Sequence, residues 1–215
     1  MKLGVLVSGR GSNLQAVLEA VAASRLPGVE PVLVVSNRPG VRALAVAAAH
    51  GVPALVCRRA DHVSADERDA VIGRALAESG ADLALLAGYD QLLHRSYFEA
   101  FGGRTVNIHP SLLPRHGGRG MMGLAVHAAV LAAGDTESGV TIHEVTPDLD
   151  AGPVLRQASL PVRPGEAAEG LAARILELEH RELLAALADL AGEGAANDPS
   201  ASMAAAPGAA APDRG

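Results

Sequence analysis

A chain of 215 residues, 49% hydrophobic and 20% charged, has the size and balance of one ordinary globular domain with a sizeable core. A net charge of -6 argues against a nucleic-acid backbone as the main partner. No apolar run approaches the roughly 20 residues of a membrane helix, and a lone Cys57 rules out an intrachain disulfide and fits a reducing cytoplasm.

The opening segment, Met1 to Val7, is too short for a signal peptide and runs straight into a glycine turn. Lys2 to Ser8 reads as a first strand, followed by Gly9-Arg10-Gly11-Ser12-Asn13 and a helix from Leu14 to about Ala23. Ser12 and Gln15 have the spacing of a capping box. Such a turn offers free backbone N–H groups at the positive end of a helix, which suits a phosphate. Leu14 stands where a dinucleotide fingerprint needs its third glycine, and the next strand ends in Ser36-Asn37 rather than an acid. A monophosphate fits better than a dinucleotide; a plain tight turn is the other reading.

Pro31 to Asn37 is the second strand, Val41 to Ala49 a helix, and Pro53 to Val56 a short third strand. Ala65 to Ser79 is helical, with Val71, Ala75 and Leu76 on its apolar side, and Gly80 closes it. Ala81 to Ala87 is a continuous apolar run, as in a strand buried on both faces. A helix from His94 to Phe101 leads to the strand Thr105-Val106-Asn107-Ile108-His109, which Pro110 ends. Alternation sets Thr105, Asn107 and His109 on one face, with Val106 and Ile108 on the other. An amide and an imidazole thus stand together at a strand exit, where open α/β sheets bind ligands. The amide can steady an oxyanion, and the imidazole can donate to it and carry a proton.

Arg115 to Gly123 is a glycine-rich loop long enough to be a lid; its arginines either help hold an anion or are simply solvated. Leu124 to Ala133 is a helix, and Gly139 to Val145 a strand with Thr141 and His143 on one face. Asp148 and Asp150 follow in a turn-rich loop, and either could sustain a protonated His109 or merely form an Asx turn. Val154 to Leu160 is the last strand, and Glu166 to about Leu190 the last helix. On that helix Leu171, Ile175, Leu183 and Leu187 form an i,i+4 row that Glu179 interrupts. A carboxylate there either reaches water from the edge of the stripe or needs a partner. Glu177, by contrast, has Arg181 four residues on. Residues 191 to 215 turn to Ala, Gly, Pro and Ser, the composition of a disordered tail after a catalytic unit over residues 1 to 190. Alternating β and α segments predict a single α/β domain with a doubly wound, mostly parallel, Rossmann-like sheet. No His/Cys cluster has metal-ligand spacing and no nucleophile elbow is present, so direct transfer without a metal or covalent intermediate is expected.

Three segments, Val7 to Leu14, Asn107 to Pro114 and Asp150 to Val154 with Gln157, together resemble the phosphoribosylglycinamide formyltransferases, folate-dependent enzymes of purine biosynthesis. The resemblance covers roughly Met1 to Leu190. It implies 10-formyltetrahydrofolate as cosubstrate and glycinamide ribonucleotide as the small-molecule substrate. The resemblance also implies a cytoplasmic protein without nucleic-acid or membrane partners, a monomer or weak homodimer. It assigns the substrate phosphate to Gly11, Ser12 and Asn13, and oxyanion stabilisation to Asn107 and His109. His109 becomes the proton donor, and Asp150 rather than Asp148 the group that raises its pKa. Glu179 would receive the glycinamide end, flanked by Leu176, Glu177 and Leu178. Arg68, Tyr89, Asp90, Gln91, Leu92, Leu93 and Asn107 would line the folate pocket. One departure stands out: this chain has Asp90-Gln91 where the family usually has Met-Arg. Two rivals remain, a hydrolase that passes the formyl group to water and a noncatalytic folate-binding homologue.

Overall fold

The computed structural model describes residues 1–196. Seven strands form one sheet in the order β3-β2-β1-β4-β5-β6-β7. The parallel part comprises β1 (Lys2–Val7), β2 (Glu30–Ser36), β3 (Ala54–Val56), β4 (Leu83–Leu86) and β5 (Arg104–His109). Two antiparallel strands, β6 (Glu137–Glu144) and β7 (Val154–Pro161), complete it. This is the expected mostly parallel α/β domain. The helices are α1 (Ser12–Ala22), α2 (Arg42–Ala49), α3 (Ala65–Glu78), α4 (Arg95–Phe101), α5 (Leu124–Ala132) and α6 (Ala168–Ala196).

The double winding follows from apolar residues on both faces of the central strands. Leu3, Val5 and Val7 of β1 and Leu83 and Leu85 of β4 join α1, α2 and α6 in one core. Leu6, Ala84 and Leu86 turn the other way, into a second core under α3 and α4. On β5, Val106 and Ile108 belong to the first core, so Thr105, Asn107 and His109 take the opposite face, as their alternation requires. Tyr97 of α4 shares a 3.0 Å hydrogen bond with Thr105 and pins the lower end of that face.

Two expectations need correction. The buried face of α3 is Arg68, Asp69, Ile72, Gly73 and Leu76, while Val71 and Ala75 stay half-buried. The face is rotated because α3 presses against α4 at Gly73, where a Cβ would stand 2.6 Å from the Tyr97 carbonyl oxygen. An enclosed Arg68–Asp69 ion pair fills the first turns, and apolar periodicity has no means of including it. The second correction concerns α6, which runs to Ala196, so the first six residues of the expected tail are helical. The remaining residues assigned to that tail, 197–215, lie outside the described residues. Among the described residues, no helix is long and apolar enough to cross a membrane.

Candidate active site

A cavity of about 1360 Å³ opens at the exits of β1, β4 and β5, between the turn after β1 and the loops after β4 and β5. Its floor is the polar face of β5 and its neighbour β6. The antiparallel register sets Asn107 opposite His143 and His109 opposite Thr141. The Asn107 carboxamide donates to Nε2 of His143 at 3.1 Å, and Nδ1 of His143 donates to the Glu144 carbonyl at 2.9 Å. Those two contacts fix the His143 tautomer, with its hydrogen on Nδ1. Burial pushes the His143 pKa down, against smaller upward pulls from the Glu144 carbonyl and Asp150, so this imidazole stays neutral. The amide nitrogen of Asn107 keeps one hydrogen for something else.

His109 is 5% exposed and lines the cavity. Its Nε2 donates to the His116 carbonyl at 2.9 Å. Asp150 also lines the cavity but does not touch His109. Its Oδ1 stands 3.7 Å from Nε2 of His143, and its Oδ2 accepts from the Gly118 amide at 2.7 Å. The expected direct pairing with His109 does not form: Asp150 is held by the Gly118 amide and only lies near the unprotonated Nε2 of His143. Asp148 is exposed and absent from the lining. The Asp150 loop sits tight on β6 because residue 152 is glycine: a Cβ there would lie 1.9 Å from the Glu144 carbonyl oxygen. His116 and Asp150 both hold left-handed backbones, at φ 54 and φ 52. For non-glycine residues that costs about 1–3 kcal/mol each, a cost that tends to gather at functional sites.

At one end of the cavity lies the turn before α1. Gly11, not Ser12, is the N-cap, and no side chain caps the helix. Gln15 is turned away to Glu19 and Arg42, so the expected capping box does not form. The first N–H groups of α1 are thus left for a ligand. Gly11 is required twice over, by φ 73 and by Ala43, whose Cβ would be 2.7 Å from an added Cβ. Beside the turn, the Asn13 amide donates to Glu179 at 3.4 Å, while its carbonyl oxygen is buried without a partner. Burial pushes the Glu179 carboxyl up to about 7, against a smaller downward pull from Asn13. Leu176 and Glu179 line the cavity. Glu177 is exposed and Leu178 lies in the core, since four successive helical residues point in four directions. Arg181 pairs with Glu182 rather than Glu177.

At the other end, Arg68, Tyr89, Asp90, Gln91, Leu92 and Leu93 all line the cavity. Their charges are spoken for. Arg68, 2% exposed, bonds Asp69, Gln91 and the Leu92 carbonyl. Asp90 pairs with Arg38 and accepts from Asn37 at 2.7 Å. Burial alone would raise the Asp90 pKa, but Asn37, Gln91, Ser8 and Arg38 together hold it below the ordinary carboxylate range.

Two lining residues escaped the sequence reading. His143 was visible only as a strand residue, because its partnership with Asn107 depends on an antiparallel register that no local pattern encodes. His127 of α5 is 5% exposed, with Nδ1 unpartnered and its pKa pushed down by burial and by His109. Its helix is apolar nearly all round, so no stripe marks it out. Among the described residues, no group of three or more His, Cys, Asp or Glu is placed to hold a metal ion.

A strand exit carrying Asn and His, an aspartate loop across from it and an uncapped helix start thus face one cavity. The chain belongs to the family described as formyl transferase, whose model matches residues 1–187. More narrowly, it is similar to the phosphoribosylglycinamide formyltransferase of Haemophilus influenzae, 34% identical over 84% of this chain and 82% of that protein. The trifunctional purine biosynthetic protein adenosine-3 of Drosophila melanogaster is 40% identical over 88% of this chain, which spans 14% of that protein's length. Glycinamide ribonucleotide transformylase 1 from Symbiobacterium toebii superposes with a TM-score of 0.84 at 37% identity, covering 90% of this chain and 88% of that one.

Proposed function

We propose that this protein transfers the formyl group of 10-formyltetrahydrofolate to the amine of glycinamide ribonucleotide, a step of purine biosynthesis. The observation that carries the reading is one cavity bounded by the Gly11 turn, by Asn107 and His109, and by Asp150. The substrate phosphate binds the open N–H groups at Gly11, Ser12 and Asn13. Its amine lies toward Glu179, whose carboxylate form attracts the ammonium. The free amine attacks the formyl carbon and turns the carbonyl oxygen into an oxyanion, and the proton its nitrogen then sheds balances the one delivered to the folate nitrogen. The second hydrogen of the Asn107 amide and His109 receive it. His109 then passes a proton toward the departing folate nitrogen as the old C–N bond breaks. Asp150, a carboxylate lining the same cavity, helps relay that proton toward the folate nitrogen. The backbone of residues 90 to 93 supplies the pterin contacts, and no metal is required. The same reading takes the protein as a cytoplasmic monomer or weak homodimer.

The test is an initial-rate formyl-transfer assay with and without glycinamide ribonucleotide. His109→Ala and Asp150→Ala should each cut turnover by about 10²–10⁴-fold with an unchanged circular dichroism spectrum. Near-normal turnover in either variant removes the role given to that residue. Formate release without the ribonucleotide would instead favour hydrolysis, and folate binding without transfer a noncatalytic homologue.

A further inference from the structure

Beside the polar face of β5 stands a half-buried pair that the scheme above does not use. The His116 ring meets Asp135 at 2.7 Å through Nε2, with side chains 15% and 6% exposed. Arg115 places its guanidinium on the other oxygen of the same carboxylate. Together the His116 hydrogen bond and the Arg115 charge hold the Asp135 carboxyl below its ordinary range. Asp135 is itself fixed in the turn after α5, where its amide donates to the Val130 carbonyl at 3.2 Å. The backbone of His116 faces the opposite way. Its carbonyl accepts from His109 Nε2 at 2.9 Å and from the Ser111 hydroxyl at 3.4 Å, and the same hydroxyl donates to the Arg115 carbonyl at 2.7 Å.

His116 thus has its ring anchored on one side and its carbonyl aimed at His109 on the other. The left-handed backbone at φ 54 is what lets one residue face both ways. A bulky side chain does not hold that conformation unaided. We infer that His116 and Asp135 form a positioning dyad that sets the orientation and tautomer of His109, acting through the His116 carbonyl. A carbonyl oxygen can only accept, so Nε2 of His109 must carry a hydrogen. Nδ1 is then the nitrogen that takes up and releases the working proton. Partners that fix the ring of a metal-bound histidine in this way are worth about 10–100-fold, and a loss of the same order is expected here. The inference rests on the catalytic role proposed for His109, but its structural half stands apart from that role.

The decisive experiment has two arms. In the first, long-range ¹H–¹⁵N spectra of histidine-labelled protein should show neutral His109 with its hydrogen on Nε2. In His116→Phe and Asp135→Asn the same signals should move to a mixture of tautomers. In the second, kcat for formyl transfer should fall by about 10–100-fold in both variants while KM for both substrates stays within about threefold. His116→Gln, whose amide can still donate to Asp135, should recover most of the lost kcat. An unchanged His109 spectrum in folded His116→Phe and Asp135→Asn overturns the dyad. So does a wild-type His109 protonated on Nδ1 alone. If the wild-type protein moves no formyl group at all, the reaction assignment fails, and the spectra still decide the dyad.

Discussion

The two ends of the cavity are built on opposite plans. Around Gly11, backbone donors are uncapped, the Asn13 carbonyl oxygen is buried without a partner, and Glu179 is held near neutrality by its surroundings. Around residues 68 and 90, every charge already has an internal partner: Arg68 with Asp69, and Asp90 with Arg38. Unsatisfied polar groups inside a protein are expensive, so they persist where a ligand completes them. Satisfied ones belong to the scaffold. The contrast says that the first end contributes polar affinity, whereas the second contributes shape and backbone.

The strongest way to break that contrast is to attack the scaffold end. Asp69 is fully buried and accepts from Arg68, the His94 amide and the His94 ring. Asp69→Ala strands a buried guanidinium, which should cost about 3–5 kcal/mol in urea unfolding. A loss below about 1 kcal/mol would mean that Arg68 is free to serve a ligand.

Next comes Glu179. Its folded pKa of about 7 lies above the ordinary value of 4.5, so the folded protein binds the extra proton between those values. Stability should therefore fall as pH rises through that window, by on the order of 3 kcal/mol, and level off above it. Glu179→Gln should flatten the slope in a denaturation series. Substrate affinity has the opposite sign: the carboxylate form attracts the ammonium, so KM for the ribonucleotide should climb as pH drops below about 7. A pH-independent KM would place the amine elsewhere.

The smallest effect concerns Asp90. Because Arg38 already neutralises it, Asp90→Asn should change KM for the formyl-folate by less than about fivefold, equivalent to about 1 kcal/mol. A double-mutant cycle with Arg38→Met should return a coupling of about 0.2–1 kcal/mol. A tenfold gain in folate affinity would show that the charge had been facing the pocket unpaired.

Much of this was readable from residues alone, because the signals were local. Alternation on β5 announced Asn107 and His109, the continuous apolar run announced β4, and a carboxylate in an apolar row singled out Glu179. What escaped was decided by contacts between distant segments. The register of β6 against β5 brings His143 to Asn107, and the pairing of Asp90 with Arg38 reaches across the exit of β1, from the loop after β4 to the loop after β2. The replacement of Met-Arg by Asp-Gln reads in isolation as a charge reversal in the pocket. In the fold it is a swap compensated from the loop after β2. The placement of Asp150 beside His143 likewise depends on a left-handed turn that its own sequence does not announce.

Helix α6 carries a last implication. Leu171, Ile175, Leu183 and Leu187 fill one seam of the hydrophobic interior, and Glu179 sits in that seam as its one acidic member. A leucine there would improve the packing and remove the pH penalty. Breeding this protein for heat resistance alone would thus favour discarding Glu179, and on the proposed reading the hardier descendants would bind the ribonucleotide poorly. On the proposed reading, the helix gives up some robustness in order to serve the chemistry.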